Sequence, residues 1–131
     1  ALNIYFEARS ETIEGQNAVG YVVLNRVADN AFPDSICEVV KQGGEERRNQ
    51  CQFSWWCDGR SDVPVNRRAW LESVERAYDL LAGDVSDPTK GALWYHAEYV
   101  TPKWSKALTM VTKIGQHLFY QDGKRPKYAL N

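Results

Sequence analysis

The sequence predicts a single α+β domain, helical through most of its length and closed by a small antiparallel sheet near the C-terminus. Three observations predict it. Apolar residues recur at helical spacing in separate segments before Gly83. After Gly91 the texture turns aromatic and strand-like, ending in two short runs around a glycine-containing turn. A chain of 131 residues and 15.0 kDa is one domain in length, long enough to bury a core of its own. Helices first and a hairpin last is the order of the α+β class.

Leu2–Arg9 reads as a short helix, with Leu2, Tyr5 and Phe6 on one face. Ser10-Glu11-Thr12 interrupts it. Thr12 is the N-cap of a second helix, with Glu14 in the first turn, where the helix dipole favours a carboxylate. Ala18, Val19, Val22, Val23, Arg26 and Val27 give that helix a broad stripe, which predicts a central, buried element ending near Asp29-Asn30. Asp34–Lys41 allows one or two further turns, and 42–49 is a polar loop. Cys51–Gly59 is neither helix-periodic nor alternating. Asn66 caps a helix whose stripe is Trp70, Val74, Ala77, Tyr78 and Leu81, with Gly83 at the C-cap. Ala92–Ala97 is a strand. Leu108–Lys113 and His117–Tyr120 form a hairpin around Ile114-Gly115-Gln116. The domain is expected to span 1–122, followed by a basic tail over 123–131.

Lys plus Arg is 16 and Asp plus Glu is 17, so the net charge of −1 lacks the footprint of a nucleic-acid binder. Five Trp, seven Tyr and four Phe are more aromatic surface than one core of this size needs. With nucleic acid disfavoured, sugar rings are the better stacking partner. No apolar run reaches the roughly 20 residues of a membrane span. The chain starts without Met and reads as a trimmed domain. A monomer is expected, because no exposed apolar stripe stands out. Cys37, Cys51 and Cys57 fit no metal spacing; they are three buried thiols, or one disulfide of unassignable pairing and an odd cysteine.

Glu7 is the carboxylate with most chemical content. It closes a short apolar helix and shares a face with Asn3, Ile4, Ser10 and Glu11. Desolvation there would raise its pKa and make a general acid. On spacing alone a solvated helix carboxylate is the commoner outcome. Glycosidases usually flank the scissile bond with two carboxylates. Glu11 and Glu14 lie too near Glu7 in the chain to do so, which leaves Asp58, Asp62, Glu98, or no partner at all. His96 and His117 lack a third metal ligand and are expected to hydrogen-bond polar groups. Ser54 or Cys57 as a nucleophile is a weak signal, and there is no phosphate loop.

Glu7-Ala8-Arg9-Ser10-Glu11, Glu14-Gly15-Gln16-x-Ala18-Val19 and Val23-Leu24-Asn25-Arg26-Val27 together resemble the opening of the SleB-type cell-wall hydrolases, the family of spore cortex-lytic enzymes. The likeness continues through Phe32-Pro33, Gln52-Phe53-Ser54, Gly91-Ala92-x-x-Tyr95 and Trp104. It ends at Lys113-Ile114-Gly115-x-His117-x-Phe119-Tyr120. It implies a lysozyme-like core of the goose-lysozyme or lytic-transglycosylase type, with Glu7 as the catalytic acid. The implied substrate is peptidoglycan, cut between N-acetylmuramic acid and N-acetylglucosamine to leave 1,6-anhydro ends, without metal or cofactor. By the same resemblance Gln52, Ser54 and Tyr95 would hydrogen-bond N-acetyl or hydroxyl groups. Phe53 and Trp104 would pack on sugar faces, and His96 and His117 would border the acid. The Cys51–Cys57 region resembles Gram-negative or phage-borne branches more than the spore enzymes. It implies disulfides and action in the cell envelope, or on the wall from a phage. Plain hydrolysis, a silent glycan-binding module and a Cys/His amidase are the competing functions.

Overall fold

In the computed structural model, which describes residues 1–43 and 51–123, the first helix, α1, is Leu2–Ala8. Arg9-Ser10-Glu11 and the N-cap Thr12 separate it from α2, Ile13–Val27. The Thr12 hydroxyl accepts the Gly15 N–H at 3.2 Å, which satisfies one of the donors a helix start leaves open. α2 is the central helix: Ala18, Val19, Val22 and Val23 are all buried. α3 is a short turn, Ile36–Val40, capped by the Ser35 hydroxyl, which accepts the Glu38 N–H and donates to the Glu38 carboxylate. Ser54–Cys57 makes one 3-10 turn. α4, Arg67–Ala82, starts at Asn66, whose side chain accepts the Ala69 N–H, and stops at Gly83 in the left-handed region.

The sheet contains β1 (Trp94–Ala97), β2 (Thr109–Ile114) and β3 (His117–Gln121), in the order β1-β3-β2 and antiparallel throughout. β2 and β3 are the expected hairpin, and Gly115 takes φ +57 in its turn. A 3-10 segment, Lys103–Ala107, lies between β1 and β2. The sheet packs on α1 and α2: Ile114 and Phe119, with Ala92 just ahead of β1, meet Ala8, Ala18, Val19 and Val22. A second cluster joins Val23 and Val39 to Phe53 and Trp55.

Two expectations change here. The stripe on α4 faces the core only in part: Trp70 and Ala77 are half-buried, but Tyr78 is 72% exposed and Leu81 66%, with Leu71 and Val74 exposed beside them. Ser73, Arg76 and Leu80 are buried instead. The cause is Gly20 on α2, where a Cβ would lie 2.3 Å from Leu80 Cδ1. Leu80 seats against that bare backbone and sets the rotation of α4. Ser73 and Arg76 can turn inward because their polar atoms bond within the helix, to the Ala69 carbonyl and to Glu75 and Asp79. The ground for expecting a monomer, the lack of an exposed apolar stripe, goes with this rotation. Of the two readings of the cysteines, one disulfide with an odd cysteine holds: Cys51 and Cys57 pair, and Cys37 is free and exposed. The polar loop over 44–49 and the tail from 124 lie outside the described residues.

Candidate active site

Asn25 and Arg26 near the end of α2 fix where β1 begins. Asn25 Nδ2 donates to the Ala92 carbonyl at 3.0 Å and to Asp87 Oδ2 at 2.9 Å. Arg26 Nε donates to the Leu93 carbonyl at 2.7 Å. Asp87 in turn accepts the N–H groups of Thr89 and Gly91, which shapes the loop entering the strand. This grip delivers Tyr95 to the helical side of the sheet. There the Tyr95 hydroxyl donates to Glu7 Oε1.

The Glu7 carboxyl is therefore drawn out of water at the junction of α1, α2 and β1. Desolvation raises it above the ordinary carboxylate range, and the Tyr95 hydrogen bond and the Arg26 charge pull partly the other way. Arg26 is 2% exposed, and burial lowers its guanidinium to about 10 against the opposing influence of Tyr95 and Glu7. The guanidinium lies 4.9 Å from the Phe32 ring centroid and 5.4 Å from that of Phe53. The Tyr95 phenol is pushed well above 10, first by burial and then by the neighbouring Glu7. It stays a donor at any physiological pH. Glu7 is thus a carboxyl poised to hold a proton, with one fixed donor and one buried cation to receive the charge when the proton leaves.

The structure brings together only some of the residues singled out by sequence. Glu7 and Tyr95 touch, and the His117 ring stands edge-on to Tyr95 at 5.2 Å. Tyr95 spends its hydroxyl on Glu7 and is not a free donor to an N-acetyl group. Phe53 is 3% exposed, packed among Val23, Val39 and Trp55, so it is core and not a sugar platform. His96 follows Tyr95 in β1, so it points to the opposite face of the sheet. There its Nε2 pairs with the Tyr120 hydroxyl at 2.8 Å and its ring meets Trp104 at 5.6 Å. Neither His96 nor Trp104 borders Glu7. Gln52 and Ser54 are exposed on the loop closed by the Cys51–Cys57 disulfide. That loop leans on α1: Trp55 stacks on Phe6 at 4.9 Å and donates from Nε1 to Asn3 Oδ1 at 2.8 Å.

Arg26 is the functional neighbour that sequence reasoning passed over. A cation inside the α2 apolar stripe was the available signal, since a buried charge requires a partner. Of the candidate second carboxylates, Glu98 is held by Lys113 at 2.7 Å. The Asp58 carboxylate closes its own turn by accepting the Arg60 N–H.

A family model described as Cell Wall Hydrolase matches residues 10–120. Among curated proteins, the spore cortex-lytic enzyme of Oceanobacillus iheyensis is 32% identical over 119 residues, covering 88% of this chain and 38% of that protein. The spore cortex-lytic enzyme of Bacillus cereus is 33% identical over 117 residues, with 88% and 40% covered. The chain thus spans about two-fifths of the length of these relatives. Among solved structures, the catalytic domain of the germination-specific lytic transglycosylase SleB from Bacillus anthracis superposes with a TM-score of 0.73 at 30% identity, covering 92% of this chain and 88% of that one. The catalytic domain of Bacillus cereus SleB gives 0.65 at 31% identity, with 91% and 84% covered. The fold is accordingly that of the SleB catalytic domains, a lysozyme-like helical core carrying a small antiparallel sheet.

Proposed function

The chain belongs to the cell wall hydrolase family of the SleB type, and from that premise we propose that it cleaves peptidoglycan glycan strands as a lytic transglycosylase with Glu7 as sole acid and base. The single observation that carries the reading is the Glu7 carboxyl, desolvated and bonded by the Tyr95 hydroxyl. Protonated Glu7 gives its proton to the glycosidic oxygen as the bond from muramoyl C1 breaks. The resulting carboxylate accepts the proton of the muramoyl C6 hydroxyl, whose oxygen closes on C1. The product is a 1,6-anhydro ring and no water is consumed. Glu7 ends protonated, ready for the next bond.

The surroundings support one acid/base over a hydrolytic pair. The groups that act on the Glu7 charge are a phenol and a guanidinium. Tyr95 and Arg26 stabilise the carboxylate that exists between the two proton transfers. Gln52 and Ser54, exposed on the disulfide-closed loop, are the residues we assign to the sugar hydroxyl and N-acetyl groups. A disulfide fits action outside the cytoplasm, where thiols oxidise. No helix among the described residues is long and apolar enough to cross a membrane.

Mass spectrometry of the soluble products from purified peptidoglycan tests the proposal, with Glu7→Gln in parallel. Anhydromuramoyl products that disappear in the variant are expected. Reducing muramoyl ends from the wild type would replace transglycosylation by hydrolysis, and binding without release would leave a glycan-binding module.

A further inference from the structure

Catalysis by Glu7 leaves a second buried glutamate four residues away without a role. The Glu11 side chain is only 7% exposed, and three parts of the chain converge on it. Its own backbone joins the two helices: Glu11 N–H donates to the Ala8 carbonyl, and the Glu11 carbonyl accepts from Gln16 Nε2. On α2, a Cβ at Gly15 would lie 2.9 Å from Glu11 Cβ. On the hairpin, a Cβ at Gly115 would lie 2.0 Å from Glu11 Oε1. Bare backbone on both sides is what lets the carboxylate in. Once in, Oε1 accepts the Gln116 N–H at 3.3 Å and Oε2 faces His117 Nδ1 at 3.9 Å.

The line of contacts does not end there. The His117 ring stands edge-on to the Tyr95 ring, centroids 5.2 Å apart at 88°. The Gln116 carbonyl accepts the Glu98 N–H just past the end of β1 at 2.8 Å. Whatever holds the β2–β3 turn therefore also holds β1 and the ring of Tyr95. Tyr95 is the residue whose hydroxyl sits on Glu7.

We propose that Glu11 is a positioning residue for Glu7: it seats the β2–β3 turn and, through His117, keeps the Tyr95 hydroxyl on the Glu7 carboxyl. The significance for catalysis rests on Glu7 being the acid. Glu11 does not act as a second catalytic carboxylate, because a side chain closed beneath the hairpin turn has no room to place a water against a sugar. It acts through geometry rather than charge, since it works through a neutral phenol two residues removed. A glutamine, whose amide oxygen can take the same Gln116 N–H and whose NH2 can face His117, preserves the seat; an alanine empties it.

The test is a direct NMR titration of the Glu7 side-chain carboxyl in the 131-residue protein, in Tyr95→Phe, Glu11→Ala, Glu11→Gln and the Glu11→Ala/Tyr95→Phe double variant. Loss of the Tyr95 hydroxyl removes a donor to the carboxylate, so Tyr95→Phe raises the Glu7 midpoint by about one pH unit. Glu11→Ala shifts it in the same direction. The double variant moves no further than Tyr95→Phe alone, because Glu11 has nothing left to position. Glu11→Gln stays near the wild type, and the Gln116 amide loses its exchange protection in Glu11→Ala and in the double variant but not in Tyr95→Phe or Glu11→Gln. Gly115→Ala, which pushes the turn off Oε1 from the other side, reproduces Glu11→Ala and serves if the latter folds poorly. A folded Glu11→Ala with an unmoved Glu7 midpoint, or shifts that add in the double variant, would overturn the proposal. Glycan release measured on the same samples separates the two levels. An inactive wild type removes the transglycosylase reading while the titration still decides the linkage.

Discussion

Replacing Arg26 by methionine alters stability and catalysis for separable reasons. Arg26 is 2% exposed and donates to the Leu93 carbonyl at 2.7 Å. Its guanidinium lies 4.9 and 5.4 Å from the centroids of two phenyl rings. A hydrogen bond from a charged donor contributes about 1.5–3 kcal/mol and each ring contact about 0.5–1 kcal/mol. Methionine fills much of the volume and escapes the cost of burying a charge, which returns part of the loss. It leaves the Leu93 carbonyl unpaired, however, just ahead of β1. The net expectation is a loss of about 2–3 kcal/mol, or a melting temperature lower by about 10 °C for a domain of this length. The second effect is on Glu7. The Arg26 charge favours the carboxylate, so its removal raises the Glu7 pKa further. Glu7 must be protonated to start the reaction, and the alkaline limb of kcat/KM therefore moves to higher pH, by about one unit. Arg26→Lys separates the two effects: it keeps the charge, so the limb stays, while stability falls. Thermal melts and pH profiles of glycan release on the three proteins are the assay. An alkaline limb unchanged or lowered in folded Arg26→Met would refute the electrostatic link between Arg26 and Glu7.

Three further outcomes follow from the same site. Glu7→Gln should cut the rate by at least about 100-fold while raising the melting temperature at neutral pH. The folded state holds the Glu7 proton more tightly than the unfolded chain, so its ionisation costs stability above the unfolded carboxylate pKa; that cost is absent when the group is protonated or replaced. His117 shows the opposite slope. Burial lowers its pKa, so the unfolded chain binds the proton more readily and stability falls as pH drops below about 6.5. Melts of His117→Gln across that range should have a shallower slope than the wild type. Reducing the Cys51–Cys57 disulfide should cost about 2 kcal/mol by freeing a short loop. It should also lower glycan release, because the loop carries Trp55 onto Phe6 beside Glu7; activity unchanged on full reduction would separate the loop from the site.

The parts of the fold written in local chemistry were legible. Thr12 and Asn66 cap the helices they were expected to cap, Gly83 ends α4, and Gly115 turns the hairpin. Glu7 was singled out at the end of an apolar helix, but spacing alone favoured a solvated carboxylate, and its assignment as the acid came from the Glu7-Ala8-Arg9 resemblance. What was not legible depends on which surfaces meet. The α4 stripe looked like a core face, but Gly20 on another helix gives Leu80 a seat and turns Val74, Tyr78 and Leu81 outward. Nothing local to α4 encodes that contact. The site was harder still, because a strand side chain is defined by its face. Tyr95 and His96 are neighbours in β1 and cannot both face Glu7. Strict alternation could have divided the aromatic groove that composition suggested. Arg26 and Glu11 stayed hidden because each acts through a residue more than 60 positions away, at Leu93 and Gln116.

If Glu7 alone carries both proton transfers, the C6 hydroxyl of the substrate, not water, closes on C1. Digesting purified peptidoglycan in 18O-enriched water and weighing the products tests it most directly. The expected products are one water lighter than hydrolytic fragments, without heavy oxygen at C1, and are absent with Glu7→Gln. Heavy oxygen at C1 of the released muramoyl ends would contradict it and require a water-placing group that Tyr95 and Arg26 do not supply.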